Sequence, residues 1–294
     1  MNVYQAAVRD IRDARRTDLD NGRILWQDAL AADDKLYAAF VAYQEQMIKN
    51  AKGEPNEIDA ARSALGKETA RLGLTREKLS PPCRCKICGD TGYADGKYCA
   101  CVIRRVISSD KENLSLPTVE FAKAQKSAPT AALKKLYGAA EKYARAFPDG
   151  TKPFLVIIGE AGTGKTTLAA AVATELMHGG AAAVTVSAFE FTRRALEYHT
   201  QFSIDDYTDR FTPMLDCDLL VIDDLGTESM LKNVTKEYLY TVVNERWLHK
   251  KYTVITTNLS PDKLIARYGE SITSRLFDKN VASAFAVNTK NLRA

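Results

Sequence analysis

The amino-acid sequence predicts an α/β fold in which helices cover a parallel sheet, preceded by an α-helical region and a small cysteine-rich module. Short apolar runs alternate with helical segments from residue 152 onward, as in parallel sheets that are buried on both faces. Apolar residues recur at helical spacing through the first eighty residues, and five of the six cysteines lie between Cys83 and Cys101. We therefore expect a helical N-terminal region at 1–80, the cysteine module at 81–112, a linker with a leading helix at 113–150 and the α/β domain at 151–294.

The composition is that of a globular protein without membrane spans. A chain of 294 residues is long enough for about two domains of roughly 150 residues. At 46% hydrophobic and 27% charged residues it is too apolar to be disordered. No stretch approaches the roughly 20 apolar residues that span a bilayer, and residues 1–10 lack the apolar region of a signal peptide. We expect a soluble, cytoplasmic protein with no membrane partner.

The net charge of +4 is too small to indicate a partner, but the charge is unevenly distributed. Residues 81–150 carry 12 basic and 7 acidic side chains, whereas the flanking regions are nearly balanced. This surplus indicates either a positive field that faces phosphate or the solvated face of a lysine-rich helix.

Three stripes of apolar residues predict three amphipathic helices in the N-terminal region. The stripes run from Tyr4 to Ala14, from Leu36 to Ile48 and from Ile58 to Leu72. This pattern fits either a small helix bundle or an arm that binds a partner. Next, Pro81 and Pro82 end the helical pattern. A short helix over Val102–Glu112, a linker over Ser115–Pro129 and a helix over Thr130–Arg145 are predicted beyond them.

The second half alternates predicted strands and helices. The strands are expected at Phe154–Ile158, Ala183–Ser187, Leu219–Ile222, Thr253–Thr257 and Ser283–Val287. The helices are expected near Thr166–Met177, Phe189–Tyr198, Val234–Lys250 and Pro261–Tyr268.

A phosphate-binding loop follows the first of these strands. Residues 159–166 match the pattern G-x-x-x-x-G-K-[ST] directly after the strand and before a helix. The glycines let successive backbone N–H groups turn toward phosphate at the positive end of that helix. Lys165 is expected to contact the β- and γ-phosphates, and the Thr166 hydroxyl to ligate Mg²⁺. The sequence therefore predicts an ATP or ADP site made of Gly159, Glu160, Ala161, Gly162, Thr163, Gly164, Lys165, Thr166 and Thr167.

Polar side chains also follow two later strands. Leu219–Ile222 runs into Asp223 and Asp224, which is the form of a Walker B motif. Asp223 is expected to hold Mg²⁺, and Asp224 to orient or deprotonate the attacking water. The strand at 253–257 runs into Asn258, whose amide either positions that water or caps the next helix.

The cysteine cluster predicts a metal site, because a dense cluster without a secretory signal is less typical of disulfides. Cys83, Cys85, Cys88, Cys99 and Cys101 offer five thiols where tetrahedral zinc needs four. The alternative is a redox switch. Cys217 stands alone beside an apolar run and is expected in the core.

The order of the motifs resembles that of AAA+ P-loop ATPases, with Walker A at 159–166, Walker B at 219–224 and a sensor 1 residue at Asn258. The segments Leu-Val-Ile-Asp-Asp-Leu-Gly at 220–226 and Tyr-Gly-Glu-Ser-Ile-Thr-Ser-Arg-Leu at 268–276 are similar to the DnaC/DnaI group of bacterial and phage helicase loaders. That group shares its ATPase core with the IstB transposition helpers. The resemblance covers about residues 81–294.

The resemblance implies roles for particular residues. Arg275 is implied as an arginine finger on a neighbouring subunit's nucleotide, with Arg267 as the competitor. The alternative for either is a surface arginine paired with Glu270 or Asp278. Asp224 stands where many AAA+ proteins have Glu, which fits slow hydrolysis used as a switch. Because 19 residues follow Arg275, we expect no C-terminal lid.

The resemblance also implies partners. Cys85, Cys88, Cys99 and Cys101 match the zinc-binding segment of DnaI-type loaders, with Cys83 as a substitute for Cys85; four thiolates make such a zinc structural. The resembling loaders engage the replicative helicase through their N-terminal region, a role that here falls to 1–80, the zinc module or both.

A segment at 188–210 mixes cations with aromatic side chains. It contains Phe189, Phe191, Arg193, Arg194, Tyr198 and His199. The mixture indicates either contact with single-stranded DNA or core aromatics beside solvated arginines.

Together these features predict an ATP-dependent loader of a hexameric replicative helicase onto single-stranded DNA. It is expected to assemble into an oligomer, either alone or only on its helicase. The alternatives are an IstB-like transposition helper, which the cysteine cluster disfavours, and a P-loop metabolic kinase, for which no lid is evident. A zinc adaptor with a vestigial nucleotide site is disfavoured because Lys165, Thr166, Asp223 and Asn258 are all present.

Overall fold

The computed structural model describes residues 3–200 and 209–287, apart from the side chains at 3 and 111. The chain divides into two compact units, residues 5–99 and residues 100–294 together with the first four residues. No helix among the described residues is long and apolar enough to cross a membrane.

The unit at 5–99 contains the predicted N-terminal helices, α1 (Val3–Ala32), α2 (Asp34–Ala51) and α3 (Ile58–Arg71), and a short α4 (Arg76–Leu79). Asp33 caps α2, because its side chain accepts a hydrogen bond from the Leu36 backbone N–H at 2.8 Å. Arg71 at the end of α3 donates to both carboxylate oxygens of Asp33 at 2.7 Å. One aspartate therefore starts α2 and joins it to α3. The three predicted helices are present, and α1 extends beyond the predicted stripe at 4–14 to Ala32.

A β-hairpin follows within the cysteine-rich segment. It consists of β1 (Tyr93–Ala94) and β2 (Lys97–Tyr98), which pair antiparallel. The two turn residues between them, Asp95 and Gly96, both have positive φ, as a tight hairpin turn requires.

The second unit opens with helices that pack beside the sheet. They are α5 (Ala100–Ser109), α6 (Phe121–Ser127) and α7 (Ala131–Arg145), with a 3₁₀ turn at Lys111–Asn113. The predicted linker at Ser115–Pro129 contains α6, whose Phe121 is buried and meets Tyr137 edge-on with ring centroids 6.4 Å apart. Helix α6 has seven residues, about two turns, and buries only Phe121 and Ala124. Two buried positions are too few to show a period, so the sequence pattern did not predict this helix.

The five predicted strands form one parallel sheet in the order β4-β5-β6-β3-β7. They are β3 (Phe154–Gly159), β4 (Ala183–Ser187), β5 (Leu219–Leu225), β6 (Tyr252–Thr257) and β7 (Ala282–Val287). The helices between them are α8 (Lys165–His178), α9 (Ala188–Thr200), α10 (Thr212–Asp216), α11 (Thr235–Leu248), α12 (Pro261–Tyr268) and α13 (Glu270–Leu276).

Alternate strand residues enter two separate cores. Phe154 and Val156 of β3 belong to one cluster, and Leu155 and Ile157 belong to the other. Each face of the sheet is thus covered, which confirms the predicted α/β architecture. Because β3 is a neighbour of β6, and β6 of β5, the loops that leave these three strands meet at one edge of the sheet.

Candidate nucleotide-binding site

The loop after β3 has the backbone shape that a phosphate cradle needs. Gly162 and Gly164 adopt φ values of 78° and 94°, which side chains other than glycine rarely adopt. Helix α8 begins directly afterwards at Lys165, so its free N–H groups face the loop. A Cβ atom on Gly159 would lie 2.7 Å from the Val287 carbonyl oxygen, so this position also needs glycine.

Two side chains close the loop on itself. The buried Lys165 donates from Nζ to the Glu160 carbonyl oxygen at 2.9 Å, and the Thr163 hydroxyl donates to the same oxygen at 2.8 Å. The ammonium group is therefore held at the mouth of the loop, where an anionic ligand would meet it.

Asp223, at the carboxyl end of β5, is held against the start of α8. The Thr166 hydroxyl donates to its two carboxylate oxygens at 3.2 and 3.0 Å, and the Thr256 hydroxyl donates to Oδ1 at 2.7 Å. Burial raises the pKa of Asp223, and the hydrogen bonds from Thr256 and Thr166 work in the opposite direction. This pair of a hydroxyl and a carboxylate is a suitable donor set for Mg²⁺.

Asp224 has an unusual backbone conformation beside this pair. Its φ is 56°, in the left-handed region, and its N–H donates to the Thr256 hydroxyl at 2.8 Å. Thr256 therefore fixes both acidic residues, a role that the sequence analysis missed. Its position two residues before Asn258 on a buried strand was the only signal.

A cavity of about 380 Å³ lies where these elements meet. Its volume falls within the range of small-molecule sites. Of the predicted nucleotide-binding residues, Gly159, Glu160, Thr163 and Asp223 do not line the cavity. Glu160 and Asp223 accept hydrogen bonds from Lys165 and Thr166, which do line it. Its walls are Ala161, Gly162, Gly164, Lys165, Thr166, Thr167, Asp224, Thr227 and Asn258.

These residues fit a nucleotide phosphate chain with Mg²⁺. The positive φ angles of Gly162 and Gly164 suit a backbone that turns its N–H groups toward phosphate, and Lys165 supplies the positive charge. Thr166 and Asp223 offer oxygen ligands at the loop's end. Asp224 and Asn258 lie across the same cavity.

Arg275 lies in the last turn of α13 and rests on two aromatic rings of α11. Its guanidinium carbon lies 5.2 Å from the Tyr240 ring centroid and 5.6 Å from that of Trp247. Its Nη1 donates to the Ser271 carbonyl oxygen at 2.6 Å, and its buried Nε has no hydrogen-bond partner among the described residues.

The two predicted finger candidates differ in what they contact. Arg267 donates to the carbonyl and carboxylate oxygens of the buried Glu228, so it is engaged inside its own subunit. Over residues 3–200 and 209–287, Arg275 forms no ion pair with Glu270 or Asp278. The alternative of a paired surface arginine therefore does not describe Arg275.

Four cysteines come together as a candidate metal site. The Sγ atoms of Cys85, Cys88, Cys99 and Cys101 all lie within 4.8 Å of one another, and Cys83 is outside this group. The Sγ atoms of Cys85 and Cys99 are 3.7 Å apart, close to the roughly 3.8 Å edge of a zinc tetrathiolate with Zn–S bonds of about 2.3 Å. The four thiols therefore fit a structural zinc ion.

The segment considered for DNA contact is largely occupied by packing. Phe191 and Arg194 are buried, and Arg194 donates to the Glu112 carbonyl oxygen at 2.9 Å. Arg193 forms ion pairs with three carboxylates, those of Glu190, Glu197 and Glu112. Tyr198 packs on the core, and the His199 ring nitrogen lies 3.3 Å from the Tyr238 hydroxyl. Phe189 is an aromatic residue of this segment that is still free to contact DNA, because two-thirds of its surface is exposed. Residues 201–208 of this segment lie outside the described residues.

Comparison with known proteins matches most of the second unit to one family. The family described as IstB-like ATP binding protein matches residues 117–293. That range includes the loop, both acidic residues, Asn258 and Arg275.

Two curated relatives come from Bacillus subtilis (strain 168). The replicative helicase loader DnaI is 32% identical over 112 residues, which are 37% of this chain and 34% of the relative. The chain thus matches about a third of that relative's length. The phage-like element PBSX protein XkdC is 23% identical over 191 residues, which are 61% of this chain and 70% of the relative.

Two solved structures that match part of this chain are those of the DnaC helicase loader and of DnaI. The crystal structure of the DnaC helicase loader is 21% identical with a TM-score of 0.48, over 57% of this chain and 98% of that one. The crystal structure of DnaI is 20% identical with a TM-score of 0.48, over 60% of this chain and 90% of that one.

Proposed function

Because the chain belongs to the IstB-like ATP binding protein family, we propose that it is an ATPase that loads a hexameric replicative helicase onto single-stranded DNA and uses slow hydrolysis as a switch. The observation that carries the ATPase proposal is the cavity that brings Lys165 and Thr166 together with Asp224 and Asn258. The 32% identity with a replicative helicase loader supports the choice of partner.

In this proposal the loop at 159–167 binds the phosphates of ATP or ADP. The N–H groups of the loop and of the first turn of α8 donate to phosphate oxygens, and Lys165 exchanges its contact with Glu160 for one with phosphate. Thr166 and Asp223 hold Mg²⁺. The bound MgATP supplies the γ-phosphoryl group that is transferred to water.

Asp224 and Asn258 act on the attacking water. Asp224 is short, and its backbone is tied to Thr256, so its carboxylate has little freedom to follow a water molecule. Asn258 is exposed in the cavity wall and supplies an amide for the same water. A carboxylate with restricted reach fits slow turnover that times an event.

Arg275 completes the site of a neighbouring subunit. It does not line the cavity of its own chain, as far as the described residues show, and the rings of Tyr240 and Trp247 hold its guanidinium without neutralising it. A charged arginine presented in this way suits the developing charge on a neighbour's γ-phosphate. Full activity therefore requires an oligomer, formed alone or on the helicase.

The N-terminal part binds the helicase in this proposal. The helices of residues 1–80 and the cysteine module at 81–112 form the contact, and a structural Zn²⁺ held by Cys85, Cys88, Cys99 and Cys101 maintains the shape of that module. For single-stranded DNA, Phe189 is the exposed aromatic ring of the segment at 188–200 and offers a stacking surface. The transposition-helper alternative has no comparable support among the curated relatives reported above.

Measurement of ATP turnover tests this function directly. The purified protein is assayed alone, with single-stranded DNA and with a hexameric replicative helicase. We expect slow basal turnover that changes with each partner. An arginine finger contributes about a thousandfold or more to kcat, so Arg275→Ala should reduce the partner-dependent turnover to the basal rate.

Lys263→Ala, which removes an exposed cation from α12, serves as the matched control and should behave like the wild type. Fast phosphoryl transfer to a small molecule, insensitive to both partners and to Arg275→Ala, would instead identify a kinase and refute the loader function.

A further inference from the structure

A buried carboxylate connects the Walker B turn to α12. The side chain of Glu228 is 1% exposed. It accepts hydrogen bonds from the Gly226 N–H at 2.8 Å and from the Tyr268 hydroxyl, and it pairs with the Arg267 guanidinium at 3.4 Å. Each of these donors lies on the turn after β5 or at the end of α12, so the carboxylate is shared between the two elements.

On one side, Glu228 holds the backbone beside the nucleotide cavity. Gly226 lies two residues after Asp224, and the next residue, Thr227, lines the cavity together with Asp224. Gly226 has a φ of 113°, and a Cβ atom on it would lie 2.6 Å from Leu259. The turn is therefore closely packed, and a ligand that displaces it also displaces the N–H that Glu228 accepts.

On the other side, Glu228 holds the end of the helix before Arg275. Arg267 and Tyr268 are the last two residues of α12, and Gly269 alone separates them from α13. Gly269 adopts a φ of 88°, a conformation for glycine, so the link between the two helices is short and specific. A shift of Tyr268 therefore moves the start of the helix that presents Arg275.

We propose that Glu228 is a positioning residue that couples nucleotide occupancy of the cavity to the placement of α12 and α13, and thereby of Arg275. This inference rests on the proposed function, which assigns the cavity to ATP and Arg275 to a neighbour's nucleotide. A buried glutamate suits the role because losing any of its three donors leaves unpaired charge or an unpaired polar group in the interior. The turn and the helix end must therefore move together.

Hydrogen–deuterium exchange measures this coupling without a helicase and without hydrolysis. The full chain is compared with and without Mg²⁺ and the non-hydrolysable analogue AMPPNP, and peptides covering 159–167 and 261–276 are followed. In the wild type we expect the ligand to change protection in both segments. Glu228→Gln and Tyr268→Phe should keep the change at 159–167 and lose it at 261–276.

Tyr268→Phe removes one hydroxyl and keeps the ring, so it provides the test even if Glu228→Gln fails to fold. Glu270→Gln, an exposed carboxylate on α13, is the matched control and should retain both changes. A merely structural Glu228 would lower Tm in both variants and leave the two protection changes in their wild-type ratio.

The coupling is overturned if the variants keep the wild-type change at 261–276, or if the wild type shows no change there while 159–167 responds. An absent response at 159–167 in the wild type would have a different meaning. It would refute nucleotide binding at the loop, and with it both the proposed function and this inference.

Discussion

A threonine on β6 organises both acidic residues of the Walker B strand. The Thr256 hydroxyl donates to the Asp223 carboxylate at 2.7 Å and accepts the Asp224 N–H at 2.8 Å. It is fully buried, so neither contact can be replaced by bulk water. The Thr256 hydroxyl accepts the N–H of Asp224 while Asp224 is in the left-handed backbone conformation. In this conformation Asp224 lines the cavity.

We predict that Thr256→Val lowers both stability and nucleotide affinity. Valine has nearly the same shape but leaves one hydrogen bond missing at the Asp223 carboxylate and one at the Asp224 N–H. Leaving a buried polar group unsatisfied costs about 1–3 kcal/mol. Urea unfolding should report a loss of this size, and titration with a fluorescent ATP analogue should show weaker Mg²⁺-dependent binding.

Thr241→Val is the control for this substitution. The exposed Thr241 hydroxyl donates to the Glu237 carbonyl oxygen of its own helix, far from the acidic pair in function, so the variant should match the wild type in both measurements. Equal stability of the two variants would show that Thr256 does not support the acidic pair.

At the scale of elements, substituting alanine for each of two helical glycines in the unit at 5–99 should change stability in opposite directions. A Cβ atom on Gly22 of α1 would lie 2.1 Å from the Leu79 carbonyl oxygen, at the end of α4. A Cβ atom on Gly66 of α3 would meet nothing within 4 Å. Gly22 therefore permits a close approach of two backbones, whereas Gly66 only weakens its helix.

We expect Gly66→Ala to stabilise this unit by about 0.5–1 kcal/mol, because alanine has the higher helix propensity. Gly22→Ala should destabilise it, because the contacting atom belongs to backbone that must shift. Both effects can be measured by unfolding the full chain with denaturant and monitoring the hydrogen-exchange protection of peptides within 5–99. A stabilising Gly22→Ala would show that α4 does not pack on α1 at this point.

The sequence predicted the elements of the sheet more completely than the contacts that build the site. Fully buried parallel strands are continuous apolar runs, so all five were placed to within three residues of their ends. The sequence could propose the loop and Asp223 as site residues because phosphate and Mg²⁺ chemistry restricts residue type at fixed spacing. Thr256 and Glu228 were missed because their roles depend on which strands and helices become neighbours. Helix α6 was missed because its two buried residues are too few to show a helical period.

For the whole molecule, the two units differ in how much apolar core they contain. The sheet of the second unit separates two large apolar clusters. In the unit at 5–99, by contrast, α2 buries only Leu36 among its residues and α3 buries none. With so little apolar core in these helices, the cysteine module at 81–112 needs another source of stability, and a structural metal is one such source.

We therefore predict that metal removal unfolds the cysteine module and spares nucleotide binding. The purified chain should contain about one zinc ion, measured by elemental analysis. Stripping it with a chelator, or making Cys88→Ser, should raise hydrogen exchange across 83–101, because the four thiols are the only groups among the described residues that gather there as metal ligands. Binding of an ATP analogue at 159–167 should persist.

Cys83→Ser separates this prediction from the two alternatives for the cluster. Cys83 lies outside the group of four thiols, so its loss should leave the zinc content and the exchange of 83–101 unchanged. Loss of zinc in Cys83→Ser together with retention in Cys85→Ser would assign Cys83 as the ligand in place of Cys85. A chain that contains no zinc and forms a reversible disulfide within 83–101 would instead identify the cluster as a redox switch.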